Sequence, residues 1–207
     1  MTNRYEDEMF QFFTGTEETF TSFCNVQKHY VPVKERLLEG FWQAVKEELH
    51  SRIAGSDWMV KLIAPVRNDK NKLMFYKTKW GMTSDGCPAL GVAIEHLWTA
   101  PFYGPFVHNH FEKRDYVQAN AIIRAAEVAK DPAFEDDPDN WYPFWGYTGL
   151  NFGADEDLLR VLPFKRADAV TEHASMVLSL AAKLEQTFEQ IHSTVGGKRT
   201  ADQLAQQ

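Results

Sequence analysis

Cysteine is scarce in this chain of 207 residues, which has only Cys24 and Cys87. Two thiols cannot build a disulfide framework, and neither stands in a C-x-x-C pair, so zinc-ribbon and dithiol redox chemistry are excluded. Both cysteines are expected to be reduced and buried. Long apolar runs are missing too: no stretch approaches the roughly 18 consecutive apolar residues of a membrane-spanning helix. The first residues are acidic (Glu6, Asp7, Glu8), where a secretory signal would be basic and then apolar. A cytoplasmic protein without a membrane span is expected. Positive charge is in deficit, with 22 Lys and Arg against 29 Asp and Glu, so the net charge of -7 argues against direct nucleic-acid binding over a broad face. Glycine-rich phosphate loops are absent, since Gly146, Gly149 and Gly153 fit neither G-x-G-x-x-G nor a Lys-Ser/Thr ending. No internal repeat or low-complexity linker divides the chain. The organisation expected is a helical arm over 1–31, one α+β domain over 32–195 and a mobile tail over 196–207.

Aromatic residues are what the chain has in excess: 15 Phe, 6 Trp and 7 Tyr, enough to dominate both the core and any binding surface. In the arm, Thr16 followed by Glu17 and Glu18 reads as a helix start, with Thr14-Gly15 as a break between two short helices. Pro32 is expected to open an amphipathic helix in which Val33, Leu37, Phe41, Val45 and Leu49 recur every fourth residue, widened by Leu38, Trp42 and Ile53. The period then changes. Alternation over 58–65, the polar turn from Arg67 to Lys72 and a second extended run over 73–80 predict a hairpin. A third strand is expected over 88–98, with Ala89, Gly91, Ala93, Glu95 and Leu97 on one face, and a fourth over 102–110. A helix from Asp115 to Val128, a loop of some 25 residues and a long helix over 168–195 complete the chain. The stripe Val170, His173, Val177, Leu180, Leu184, Thr187 and Ile191 of that last helix has heptad spacing, which makes it a candidate homo-oligomer seam. Helix, strands, helix, loop, helix is the order of an α+β fold with a mainly antiparallel sheet of about four strands.

Four groups could carry chemistry. His108 and His110 lie on one face of a strand, with Glu112 or Asp115 able to supply a carboxylate, a metal-ligating arrangement whose counter-reading is a frayed, solvated strand end. The letters His108-Asn109-His110 do not make an HNH nuclease, whose residues are spread over a much longer motif. Asp85 and Glu95 could hold a divalent ion for a hydrolase or nuclease. Ala93, Gly91 and Ala89 beside Glu95 leave room for a ligand or a packed helix, but Leu97 stands where Glu-x-Lys would place its lysine. The counter-reading pairs Glu95 with Lys61, Lys77 or Lys79. A cysteine nucleophile has no local signature at Cys24 or Cys87, and His173 reads as a core histidine. Finally, the long loop carries an acidic cluster (Glu135, Asp136, Asp137, Asp139) and an aromatic one (Trp141, Tyr142, Phe144, Trp145, Tyr147), candidates for anchoring a protein partner. Their counter-reading has the rings closing the core and the acids facing water.

The succession Phe41-Trp42 on a helix, a strand ending near Trp80-Gly81, Gly91-Val92-Ala93-Ile94-Glu95, Phe102-Tyr103-Gly104 and the run Trp141 to Trp145 before a long helix has a parallel elsewhere. It resembles the C-terminal accessory region of some prokaryotic and phage PD-(D/E)XK nuclease-like proteins, over about residues 33–195. The resemblance implies a stand-alone binding or regulatory module, with no nuclease half and no catalytic residues to carry over. The reading that follows is a non-catalytic interaction protein with no cofactor, binding a protein partner, with an inhibitor of a nucleic-acid-handling complex as one form. The alternative is a metal-dependent hydrolase using His108 and His110 or Asp85 and Glu95.

Overall fold

The computed structural model describes residues 4–68, 71–83, 86–108, 113–136 and 141–196, and these divide into two compact units at Leu37/Leu38. In the first unit, α1 (Arg4–Thr14) ends where the Thr14 hydroxyl donates to the Phe10 carbonyl. After Gly15, α2 (Glu17–Arg52) starts on a reciprocal cap: the Thr19 amide donates to Thr16 Oγ1 at 3.1 Å and the Thr16 amide to Thr19 Oγ1 at 3.2 Å. Two otherwise orphaned amides are thereby satisfied, and Glu17 and Glu18 suit the positive end of the dipole, as the sequence leads one to expect. Pro32, however, does not open a helix. It sits inside α2, which runs through it unbroken. A proline there forgoes one backbone hydrogen bond, at a cost of about 3 kcal/mol, and the capped start on one side and buried anchors on the other outweigh it.

Those anchors belong to the second unit. Leu38, Phe41, Trp42, Val45 and Leu49 are fully buried, each contributing about 1.5–3 kcal/mol. Val33, expected in the same stripe, is 63% exposed. Every fourth residue overshoots a full helical turn by about 40°, so a strict four-residue repeat winds off the buried face.

The sheet has six strands rather than four, all pairs antiparallel, in the order β1-β2-β3-β4-β6-β5. β1 (Trp58–Leu62) and β2 (Lys72–Lys77) form the expected hairpin, followed by β3 (Leu90–Glu95) and β4 (Phe102–Val107). The expected loop supplies the other two: β5 (Glu135–Asp136) and β6 (Phe144–Tyr147), with β6 slotted between β4 and β5. Two acidic residues carry little strand signal, and the aromatics of β6, though good strand formers, make a run of only four residues broken by Gly146, which is why both read as loop. α3 (Lys113–Arg124), α4 (Asp155–Arg160) and α5 (Ala167–Ile191) follow, α5 closing in a π-turn over His192–Gly196. Among the described residues, no helix is long and apolar enough to cross a membrane. The cysteine expectation is corrected: Cys24 is exposed and Cys87 half-buried.

α5 covers one face of the sheet. Its seam of Val170, His173, Val177, Leu180, Leu184 and Ile191 is buried within its own unit, and Thr187 of the same stripe is half-buried. Phe41 and Trp42 of α2 meet the His173 ring edge-on, and the Trp42 indole donates to the Leu97 carbonyl at 3.0 Å. At the β1–β2 end, the nearly buried Lys77 ammonium lies 5.0 Å from the Trp58 ring and 5.7 Å from the Trp80 ring. It is held by Asp57 at 2.6 Å and Glu185 at 2.5 Å, while Lys79 reaches Glu189 at 2.7 Å. Trp80 packs on Phe188, so charge and rings together fasten α5 to this edge.

Candidate binding surface

Strand alternation sends Lys72, Met74, Tyr76, Gly91, Ala93, Glu95, Phe102, Gly104 and Phe106 to the opposite, far face. The small residues there do not leave a ligand space. Rings fill it: Met74, Tyr76, Ala93, Phe106 and Tyr142 form a buried cluster, with Ile63, Phe102 and Trp145 packed against it. The fit is close, because a Cβ on Gly91 would sit 2.4 Å from the Phe75 carbonyl oxygen and one on Gly104 2.4 Å from that of Phe144.

Glu95 lies at the end of this trough. Its ion-pair partner is Lys72, directly opposite on β2, and not Lys61, Lys77 or Lys79. Lys61 donates instead to the Gly86 carbonyl at 2.9 Å, and Lys77 and Lys79 serve the acids already named. Both Glu95 and Lys72 are largely buried, and the Lys72 ammonium also stands 4.9 Å from the Trp141 ring. Burial drives the Tyr142 phenol well above its ordinary range, and the neighbouring Glu95 carboxylate adds to the effect. The Tyr142 hydroxyl completes no hydrogen bond of good geometry. A carboxylate neutralised by lysine and walled by rings is a structural element of this face, and an ion pair of this kind leaves little affinity for a divalent cation.

From Tyr142 a run of ring contacts crosses the face. Tyr142 meets Phe102 at 5.1 Å, Phe102 meets Trp145 at 5.4 Å and His96 at 5.0 Å, and Trp145 meets Tyr147 at 4.9 Å. His96 holds φ at 55°, a left-handed value that turns the chain sharply after β3 and presents its ring to solvent beside Phe102. The run surfaces at Tyr147, which is 60% exposed, while Trp145 is half-buried; Trp141, 37% exposed, stands apart from it beside His108 and the Lys72 ammonium. Tyr142 and Phe144 belong to the core. Glu135 pairs with Trp145 and Asp136 with Phe144 across the β5–β6 ladder, and both acids are exposed. Asp136 also approaches the Arg124 guanidinium at 3.4 Å.

No family model, curated protein or solved structure matches the chain. The surface is therefore read from its own geometry. Of the metal candidates, His108 packs edge-on against Trp141 at 4.9 Å. His110, Glu112 and Asp85, and the acids Asp137 and Asp139, lie outside the described residues. Among the described residues no three His, Cys, Asp or Glu side chains gather as ligands. On the α5 face, two adjoining clefts of about 410 and 720 Å³ share Val128, Asp131 and Lys183; of the α5 stripe, Leu180 lines the first and Thr187 the second.

Sequence reasoning named Trp141, Trp145 and Tyr147 but missed Lys72, His96 and Phe102. The signal for Lys72 was present: closing the β2–β3 pairing so that alternating apolar residues share faces sets Lys72 opposite Glu95. Phe102 and His96 carried none, because His96 was counted within a strand that ends at Glu95.

Proposed function

We propose that this chain is a non-catalytic binding protein that grips a protein partner through the surface rings Trp141, Trp145 and Tyr147 and the acidic edge Glu135–Asp136. One observation carries the reading. Exposed indole and phenol rings are locked by ring contacts onto a sheet, beside exposed carboxylates on the adjoining edge strand. Rings held this way lose little rotamer entropy on binding, and Trp and Tyr are the residues that dominate interface energetics. The carboxylates and the net charge of -7 favour a partner with a basic surface. The groove of a nucleic-acid-handling protein is such a surface, and occupying it in place of phosphates would make this chain an inhibitor.

The test is capture from the native host with the intact chain and with Trp141→Ala combined with Tyr147→Ala. Loss of two hot-spot rings should weaken capture at least about 30-fold, while circular dichroism stays unchanged. Added salt should weaken capture by the intact chain. Equal recovery by the double variant would dispose of the proposal.

A further inference from the structure

The geometry points to the adjoining clefts on the α5 face as a site for a small zwitterion, an ammonium and a carboxylate carried on one apolar body, which is the chemistry of a free amino acid with an aliphatic or aromatic side chain. The site is separate from the ring surface. Tyr103 lines the first cleft, and strand alternation sends it to the α5 side of the sheet while Phe102 and its ring neighbours lie on the other. At about 410 and 720 Å³ the clefts have the size of small-molecule sites. Ser175 and Ser179, one turn apart on α5, put small side chains where larger ones would close the first of them. Buried Leu180 and Val128, with half-buried Met176 and Phe134, give it an apolar lining.

Charge selects the ligand. The charged residues lining the clefts are Glu127, Lys130, Asp131, Glu172 and Lys183. Three of them are already neutralised: Lys130 reaches Glu127 at 2.7 Å, and Arg160 reaches Glu172 at 3.1 Å. Asp131 and Lys183, one of each sign, have no ion pair among the described residues, and they are also the two charged residues common to both clefts. Asp131 is held in place, because its Oδ1 accepts from the Ala133 amide at 3.0 Å and its carbonyl from the Phe134 amide at 3.0 Å, which leaves Oδ2 for a ligand. Burial, and then the Asp131 charge, raises the Tyr103 pKa, so the phenol keeps its proton. Neither that hydroxyl nor the Ser179 hydroxyl has a hydrogen-bond partner among the described residues. A ligand carboxylate takes Lys183 with these hydroxyls as further donors, the ammonium takes Asp131, and the apolar body lies against Val128 and Leu180. Both charged side chains are exposed, so each contact is modest and the affinity falls near the millimolar range.

Calorimetric titration of the full chain with L-phenylalanine and L-leucine tests this, each against its deaminated analogue (3-phenylpropionate, 4-methylpentanoate) and its decarboxylated one (2-phenylethylamine, 3-methylbutylamine). At least one amino acid should bind with a Kd below about 10 mM, and both of its single-charge analogues should bind at least about tenfold more weakly. Asp131→Asn, which keeps the acceptor for the Ala133 amide, should cancel the preference over the deaminated acid. Lys183→Met should cancel the preference over the amine. Ser179→Met, at an exposed position of α5, fills the first cleft and should abolish binding while circular dichroism stays unchanged. Absence of binding by both amino acids up to about 10 mM overturns the proposal, as do analogues that bind as tightly as the amino acid. Binding that survives Ser179→Met, or preferences that outlast both charge variants, would put the ligand elsewhere and overturn it as well.

Discussion

His173 makes the stability of this protein sensitive to mild acid, and the size of the effect follows from its surroundings. The ring is fully buried, edge-on to Phe41 and Trp42 at 5.6 and 5.8 Å, and one nitrogen, Nδ1, lies 2.7 Å from the Ala169 carbonyl. That carbonyl fixes the proton on Nδ1, and the other nitrogen, Nε2, has no partner. A second proton would place an unsolvated charge there. Burial accordingly lowers the imidazole pKa from its ordinary 6.5, against smaller upward contributions from the Ala169 carbonyl and Glu172. The unfolded chain then takes up a proton at a pH where the folded chain refuses it. Stability from this group is complete above pH 6.5 and falls as the pH drops toward the folded value, by at most about 1.4 kcal/mol per pH unit. By pH 5 the loss reaches at most about 2 kcal/mol. His173→Leu removes the titration while filling the site, and should lie within about 1.5 kcal/mol of the parent at pH 7.5. Urea midpoints at pH 7.5, 6.5, 5.5 and 5.0 for both proteins give the comparison. If the two lose stability in parallel on acidification, the assignment of this titration to His173 is wrong.

Three further outcomes test the packing. Gly91→Ala should cost about 1–3 kcal/mol, because its new carbon meets the Phe75 carbonyl oxygen at 2.4 Å, and an unchanged urea midpoint would refute the closeness of the far-face cluster. Trp42→Phe strands the Leu97 carbonyl in the core and should cost about 1–3 kcal/mol in chemical unfolding; a variant as stable as the parent would mean the carbonyl finds another donor. Lys77→Met removes the ammonium shared by Asp57 and Glu185 and should lower stability by about 2 kcal/mol, since both acids are half-exposed and partly solvated. Lys77 also holds the Asp57 carboxyl below its ordinary 3.8, and Lys79 holds that of Glu189 below 4.5. Their contribution is whole above about pH 4.5 and disappears as the pH falls through the lowered values, so acid melts of Lys77→Met should show a shallower decline. Equal declines would remove the pairing from the account.

Local chemistry that repeats at a fixed period was legible in the sequence, and chemistry that depends on distant partners was not. The cap at Thr16, the β1–β2 hairpin and the apolar seam of α5 announce themselves within a few residues. The purpose of the α5 seam did not, because heptad spacing describes a helix buried along its length whether the cover is another copy or its own sheet. Pro32 reads as a helix start under any local rule, and the capped start at Thr16 together with the buried anchors from Leu38 onward carries α2 through it. β5 escaped because Glu135 and Asp136 are poor strand formers, and β6 because its aromatics make a run of four broken by Gly146; β6 pairs on the edge of β4, and β5 on β6. The aromatic loop cluster was half legible: its composition pointed to rings in contact, but the division between the core residues Tyr142 and Phe144 and the surfacing Trp141, Trp145 and Tyr147 is set by the strand register.

Pro105 in β4 pairs with Val92 on one side. On the other side the Val107 amide donates to the Trp141 carbonyl at 3.0 Å, and Tyr103 stands opposite Gly146. Halfway between those two fastenings the proline has no hydrogen to give. The segment from Trp141 to Gly146 is thus stitched to β4 by hydrogen bonds at its two ends with a missing rung in the middle, where the buried Tyr142 and Phe144 hold it against the sheet by packing. Whatever docks against these rings meets a segment whose hold on β4 is mostly apolar packing, so reshaping it would cost the burial of Tyr142 and Phe144 more than it would cost hydrogen bonds.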